Sequence, residues 1–294
     1  MIIFITGVNG QLGHDVALCA AKAGHKVICS DVNSGEDDAY IRLDITDGIA
    51  VSNAIETVKP DCIIHCAAWT NVDGAEDEKN REKVYAINEK GTQYLAEAAK
   101  SVNAKFVYIS TDYVFGGDRE KPWRPDDKNF NPLNEYGKSK LAGETAVSGS
   151  LEKFFIVRTS WVFGINGKNF IKTIVNLGRT HKTVRVVNDQ IGAPTYAKDL
   201  AKLLIDMAQT DKYGYYHATN SGGHISWYDF TKEIYKQAGI DATVIPVTTS
   251  EYGFLKAARP LNSGLDCSKL AENGFAPMPD WRDAVKRYLK EANI

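Results

Sequence analysis

Apolar positions along the chain follow two alternating rhythms. Short unbroken runs mark buried strands at residues 2–6, 25–30, 62–65, 106–109 and 154–158. Between them, stretches with helical periodicity run from the turn after residue 6 to Gly24, then over about 48–58, 83–102 and 134–147. Gly24 closes the first helix, and Lys59-Pro60 stops the second, because a residue before proline is pushed out of the helical region. Such strand–helix alternation predicts a parallel sheet with helices on both faces. Pro122, Pro125 and Pro132 make residues 116–133 read as a long loop, and a loop of that length inside a domain marks function.

Beyond Gly164 the rhythm is mixed. Helices are expected at 168–179, 196–209, 226–238 and 281–292, and strands at 184–187 and 215–218. Pro246, Pro260, Pro277 and Pro279 punctuate the end of the chain. The expected fold class is α/β, a doubly wound parallel sheet over residues 1–165 to which 190–222 returns. A smaller α+β lobe, mainly 166–294, would hold substrate in a cleft against the sheet edge. There is no internal repeat.

Composition narrows the function classes. The 294 residues are 44% hydrophobic and 24% charged, as in ordinary globular proteins, with a net charge of −2 from 35 basic and 37 acidic residues. No strong field points to nucleic acid or an anionic membrane. No basic stretch with a cleavage site precedes the first strand, and no apolar run approaches the ~18 residues that span a bilayer. The five cysteines are odd in number, so a disulfide framework is not expected. Cys62 and Cys66 bracket a strand end with no second pair to complete a metal site, and read as buried thiols. The expected compartment is the cytoplasm.

Candidate chemistry begins at Gly7-x-x-Gly10-x-x-Gly13. These glycines stand between the first strand and its helix, where they permit a tight turn and close backbone approach to a pyrophosphate. With Asp31 ending the second strand, the segment makes a Rossmann-like dinucleotide-binding unit. Asp31 would accept hydrogen bonds from the adenosine ribose, and with no arginine beside it would repel a 2′-phosphate, favouring NADH over NADPH. Asp44 would bond the adenine amino group or serve as a strand-end turn residue. Tyr136 and Lys140 are one helical turn apart on one face. A phenol titrates near ~10, and an ammonium nearby lowers that value, so the pair makes a compact proton donor. A packed tyrosine beside a solvated lysine is the plainer reading of the same spacing.

These motifs, with Ser110-Thr111 after the fourth strand, resemble the extended short-chain dehydrogenase/reductase family. A closer likeness runs through Ser110-Thr111-Asp112-Tyr113-Val114-Phe115, the stretch from Pro132 to Glu144, and Arg158-Thr159-Ser160-Trp161-Val162-Phe163-Gly164. It continues through Asp189-Gln190-x-Gly192-x-Pro194-Thr195 and Arg259-Pro260-x-Asn262-Ser263. Nearly the whole chain thereby resembles the dTDP-4-dehydrorhamnose reductases, with Gly116 standing where many of them carry an acidic residue.

The resemblance implies that Tyr136 gives the proton, that Lys140 lowers its pKa and holds the nicotinamide ribose, and that Thr111 bonds the reacting carbonyl. It implies that Gly10, Gln11 and Leu12 line the pyrophosphate, that Asp44 and Ile45 meet the adenine end, and that Ala67, Ala68 and Trp69 run beside the cofactor. Asn88 would support the site, Asp112 and Trp161 would touch the sugar, and Arg259 would hold the substrate diphosphate. For several of these a structural role competes: packing for Trp161, a turn cap for Asp112, helix backbone for Asn88, loop bracing for Gln190 and Thr195, a surface ion pair for Arg259.

The implied activity is NAD(P)H-dependent reduction of a dTDP-4-keto-6-deoxyhexose to dTDP-L-rhamnose, a precursor of cell-surface polysaccharide. The implied cofactors are NADH, preferred through Asp31, or NADPH, with Mg2+ a further candidate. The implied partner is a dTDP-sugar, with no nucleic acid and no membrane, and the chain would be a monomer or homodimer. A nucleotide-sugar dehydratase or epimerase is the alternative enzyme, but related dehydratases place Asp-Glu directly after the threonine, and here Tyr113 follows Asp112. A non-catalytic NAD(P)-binding subunit is the alternative outside enzymes; it would have no need of the Tyr136/Lys140 pair.

Overall fold

The computed structural model describes residues 1–35, 39–253 and 255–294. The chain runs β1 (Ile2–Thr6), α1 (Gln11–Lys22), β2 (Lys26–Asp31), β3 (Tyr40–Arg42), α2 (Gly48–Val58), β4 (Cys62–His65), α3 (Val72–Ala75) and α4 (Glu78–Tyr85). It continues with α5 (Thr92–Ser101), β5 (Lys105–Thr111), α6 (Glu135–Ser150), β6 (Phe154–Thr159), β7 (Val162–Phe163), α7 (Phe170–Thr180) and β8 (Thr183–Val187). Then come β9 (Ile191–Gly192), β10 (Thr195–Tyr196), α8 (Ala197–Ala208), β11 (Gly214–His217), β12 (Ile225–Ser226), α9 (Trp227–Ala238) and β13 (Thr243–Val247). Three helices remain: α10 (Thr249–Tyr252), α11 (Ser268–Glu272) and α12 (Trp281–Glu291).

Seven parallel strands form one sheet in the order β11-β6-β5-β4-β1-β2-β3. Strand periodicity divides its side chains between two cores. Ile3, Ile5, Ile64, Val107, Phe155 and Val157 face α1 and α8, whereas Phe4, Ile63, Phe106, Tyr108 and Ile156 face α2, α5 and α6. The order reverses direction at β1, so a crevice opens beyond the carboxyl ends of β1 and β4. A third, aromatic core of Phe163, Tyr196, Phe230, Trp281 and Tyr288 joins α7, α9 and α12 around the small parallel pair β8/β13. Among the described residues no helix is long and apolar enough to cross a membrane, and no cysteine is disulfide-bonded.

Two departures from the sequence expectation have physical causes. The helix expected at 83–102 is interrupted by a π-turn over Ala86–Gly91, an insertion that leaves the apolar periodicity on either side intact. Val247 and its neighbours form β13 despite Pro246, because the pair with β8 leaves one strand edge without a ladder to donate to. The 116–133 loop forms as expected and is packed: Phe115 stacks on Trp123 at 4.4 Å, and the Arg158 guanidinium donates to the Pro125 carbonyl at 3.1 Å.

Candidate active site

A cleft of about 900 Å³ follows the carboxyl ends of the sheet strands. Its floor begins at the glycine turn. Gly7 has φ +72°, and a Cβ there would come within 2.6 Å of the Ala67 amide nitrogen; a Cβ at Gly13 would come within 2.2 Å of the Gly7 carbonyl oxygen. Only glycine lets β1, α1 and the end of β4 approach this closely. Gly10 caps α1 without a side-chain hydrogen bond, so the first N–H groups and the helix dipole face the cleft as an anion site. Gln11 and Leu12 line the cleft beside it.

At the next strand end, Asp31 is already engaged by its neighbours. Its Oδ1 accepts from the Asn33 amide at 3.1 Å and side chain at 3.2 Å, and its Oδ2 accepts from the Asn9 amide at 3.3 Å. The expectation that no arginine sits beside it needs correcting: the β2/β3 register places Arg42 directly opposite Asp31, with Arg42 Nε donating to the Val32 carbonyl at 3.1 Å. Local sequence does not disclose which residue an adjacent parallel strand brings alongside. Asp44 accepts from the Thr46 amide at 2.9 Å and hydroxyl at 2.7 Å while lining the cleft with Ile45.

Ala67, Ala68 and Trp69 form the wall after β4. Trp69 is pinned by Asn88, whose Oδ1 accepts from the Trp69 amide at 2.8 Å and whose Nδ2 reaches the Ser139 hydroxyl at 2.9 Å. Asn88 therefore ties the π-turn, the cleft wall and α6 together without lining the cleft itself.

The ends of β5 and α6 bring Thr111, Asp112, Tyr136 and Lys140 to one side of the cleft. Asn134 caps α6, its Oδ1 accepting from the Gly137 amide at 2.8 Å, which fixes the turn carrying Tyr136. Burial pushes the Tyr136 phenol up to about 12; the Thr111 hydroxyl beside it pulls the other way and the Asp112 charge adds to the rise. Lys140 is buried, and loss of hydration brings its ammonium down to about 7, against the opposing pull of Glu144 one turn on. Lys140, expected to lower the Tyr136 pKa, is not among the groups that shift the phenol in this geometry. The Lys140 ammonium instead lies over the Tyr108 ring, 4.0 Å from its centre.

Burial raises the Asp112 carboxyl to about 6, opposed chiefly by the Ser263 and Thr111 hydroxyls. Thr111 Oγ1 donates to Asp112 Oδ1 at 3.0 Å, and Ser263 Oγ, though near, donates to the Ile191 carbonyl at 3.3 Å. Asp112 Oδ2 is buried and unpartnered. A solvent-poor carboxylate with one open oxygen beside two hydroxyls suits recognition of a polyhydroxylated ligand.

Across the cleft stands Trp161, stacked on Trp227 with ring centres 3.6 Å apart; both line the cleft. Sequence reasoning missed Trp227, for which the only signal is its place directly after the Ser226 helix cap. Gln190 and Thr195 brace the loop around Pro194: Gln190 donates to the Thr249 hydroxyl at 3.0 Å, and Thr159 donates to Thr195 at 3.1 Å. Arg259 does not line the cleft; it grips Asp73 with two parallel bonds of 3.0 and 2.7 Å. Among the described residues no group of three or more His, Cys, Asp or Glu side chains is arranged to hold a metal ion.

Comparison with known proteins adds to this geometry. The family described as the RmlD substrate binding domain matches residues 1–294. The chain is 40% identical to the dTDP-4-dehydrorhamnose reductase of Aggregatibacter actinomycetemcomitans, over 97% of each chain. Among solved structures, a dTDP-4-dehydrorhamnose reductase from Clostridium acetobutylicum superposes with a TM-score of 0.93 at 40% identity over 100% of both chains. Another, from Bacillus anthracis in complex with NADP, superposes with a TM-score of 0.91 at 41% identity over 99% of both.

Proposed function

The chain belongs to the RmlD substrate binding domain family, and from that membership we propose that it is an NAD(P)H-dependent oxidoreductase of nucleotide-sugar biosynthesis. It reduces the 4-keto group of dTDP-4-dehydrorhamnose to give dTDP-L-rhamnose. The observation that carries this reading is the meeting of Thr111, Asp112, Tyr136 and Lys140 at one end of a cleft whose other end is the glycine turn.

Ketone reduction needs a hydride on carbon and a proton on oxygen. The dinucleotide, when bound, supplies the hydride. This chain's residues do the rest. The glycine turn and α1 N-terminus hold the pyrophosphate, with Ala67, Ala68 and Trp69 alongside the dinucleotide. Tyr136, fully protonated at neutral pH, donates to the C4 oxygen as charge develops there. Thr111, whose single hydroxyl proton lies on Asp112 Oδ1 at 3.0 Å, turns it to the same oxygen as a second donor when charge develops there. Lys140 holds the nicotinamide ribose, and Asp112 Oδ2 accepts from a sugar hydroxyl.

Asp31 accepts from the adenosine ribose and favours NADH, while Arg42 opposite gives a 2′-phosphate a cationic partner, so NADPH also serves. Of the residues beyond 165, Lys168 and Trp227 line the cleft, and Trp161 joins them from just before that boundary. Cysteines outside any disulfide among the described residues, and the need for a reduced nicotinamide pool, fit the cytoplasm. The test is oxidation of NADH and NADPH over a panel of 4-keto nucleotide sugars. Turnover of dTDP-4-dehydrorhamnose supports the reading; turnover only of other 4-keto sugars reassigns the substrate, and tight cofactor binding with no turnover removes the enzyme.

A further inference from the structure

Trp161 has φ +48°, a left-handed backbone conformation that a bulky residue seldom adopts. It occurs where the chain leaves the large sheet after β6 and enters β7. Such strain persists only where the surroundings over-determine it, and it clusters at ligand sites.

Three features grip the Trp161 ring. Trp227 stacks on one face, with 3.6 Å between centres and 13° between planes. Gly192 receives the indole edge, since a Cβ there would stand 2.7 Å from Trp161 Cε2. Phe230 lies behind at 6.2 Å, and Phe170 backs Trp227 at 4.4 Å. The grip is itself fixed by backbone. Ile225 and Ser226 pair with Gly192 and Ile191 in the β12/β9 ladder, and a capping box between Ser226 and Asp229 sets the first turn of α9, which begins with Trp227. One ladder therefore locks the stacking ring and the edge contact in register.

The location identifies the ligand group. Thr111 and Thr159 are register partners in the β5/β6 ladder, and Trp161 is two residues beyond Thr159. The chain turns after Thr159, and two residues span at most roughly 7 Å. If Thr111 bonds the C4 oxygen, the indole stands within one sugar width of the reacting carbon. Two substituents fall in this range, the C3 hydroxyl and, on C5, the C6 methyl; of the two, an apolar indole face suits the methyl. The thymine base, beyond a deoxyribose and two phosphates, does not.

We propose that Trp227 is a positioning residue that holds Trp161 as an apolar wall for the C6 methyl of a 6-deoxyhexose, and so sets the preference for 6-deoxy over 6-hydroxy sugars. The inference rests on the reductase reading above and names the substrate feature that the site selects.

The experiment compares kcat/KM for dTDP-4-dehydrorhamnose and for its analogue carrying a hydroxymethyl group in place of the methyl. Near-UV circular dichroism follows the coupled indoles. Apolar pockets discriminate against an added hydroxyl by on the order of 10²-fold. In Trp227→Leu the dichroic couplet should vanish and the methyl preference should fall at least tenfold, with the KM for NADH unchanged. Trp227→Phe, which retains a stacking ring, should keep the preference within about threefold of wild type. Gly192→Ala leaves Trp227 in place but crowds the Trp161 edge, and should lower the preference in the same direction even if Trp227→Leu fails to fold. A wild type that oxidises NADH with neither sugar overturns the reductase reading and this inference with it. An active wild type without a methyl preference overturns this inference alone, as does a preference that survives in Trp227→Leu or in Gly192→Ala.

Discussion

The Lys140 ammonium rests 4.0 Å from the centre of the Tyr108 ring, on the side of α6 that faces the sheet. This burial has a cost that depends on pH. An unfolded lysine titrates near ~10.4, whereas burial brings folded Lys140 down to about 7. Between those values the unfolded chain binds more protons, so stability should rise with pH through that window; below about 7 both states are protonated and the full cost applies. Lys140→Met should therefore be more stable than wild type by a few kcal/mol at pH ~6.5, with the gain shrinking toward pH ~10. Urea unfolding of the cofactor-free protein at several pH values checks this, and a constant difference would remove the titration argument. The same variant should bind NAD(H) more weakly.

Arg158 and Glu144 form a bidentate pair whose side chains are 1% and 2% exposed. Glu144 also accepts the Ser110 hydroxyl at 2.5 Å, beside Thr111. Arg158→Met leaves that carboxylate buried with one neutral donor, and should cost about 3–5 kcal/mol. Adding Glu144→Leu should recover a large part of the loss, because the uncompensated charge goes with it. Denaturant midpoints at constant m-value provide the measurement. A double variant no more stable than the single one would mean that the loss comes from packing.

At the adenosine end, Asp31 and Arg42 face one another across β2 and β3 and should act oppositely on the two cofactors. Arg42→Leu should lower kcat/KM for NADPH about tenfold, equivalent to roughly 1.4 kcal/mol, and leave NADH within about twofold. Asp31→Ala should narrow the gap from the other side, weakening NADH and relieving NADPH. The NADPH effect of Arg42 should shrink at high salt, since the contact is partly exposed. A wild type that uses NADPH tenfold better than NADH contradicts the role given to Asp31.

Thr111→Val keeps the shape of the β5 terminus and removes its hydroxyl. The C4 oxygen would lose one donor, at about 10²-fold or more in kcat, with cofactor affinity nearly unchanged. Asp112 loses the 3.0 Å bond that favours its charged form, so its carboxyl should rise further above about 6 and the acidic limb of the pH–rate profile should move to higher pH. An unchanged kcat/KM with the keto sugar would take Thr111 out of the reaction.

Sequence made legible what is local to a strand end. The glycine turn, Asp31, Thr111 and the Tyr136/Lys140 turn each sit where a strand meets a helix or a helix begins, and all line one cleft. What was hidden depends on partners distant in the chain. Arg42 reaches Asp31 only through the β2/β3 register, and Arg259 finds Asp73 only because the segment after α10 crosses to α3. Trp227 reaches Trp161 through the two-residue β9/β12 ladder, too short to leave an alternating pattern. Lys140 was expected on Tyr136 because spacing sets a helical face but not the rotamer; Tyr108, on the adjoining strand, offers the buried ammonium a ring.

Tyr136→Phe gives the sharpest test of the chemistry. The substitution deletes one oxygen and keeps the ring in its edge-on contact with Tyr113, 6.0 Å between centres, so the fold should survive. With its phenol held near 12, Tyr136 is protonated throughout the neutral range, and the group removed is a proton donor rather than a base. Loss of such a donor should slow the chemical step by about 10²–10⁴-fold. The effect should fall on single-turnover NADH oxidation in stopped flow, where product release does not mask chemistry, and KM for the cofactor should move little. Lys138 supplies the control: it is on the same turn but points outward to Glu135 at 2.8 Å, so Lys138→Met should leave the single-turnover rate unchanged. A purely structural tyrosine makes the opposite forecast, a small loss of stability with no loss of rate. A Tyr136→Phe protein that turns over at the wild-type rate would falsify proton donation by Tyr136, and the C4 oxygen would then have to draw its proton from another group in the cleft.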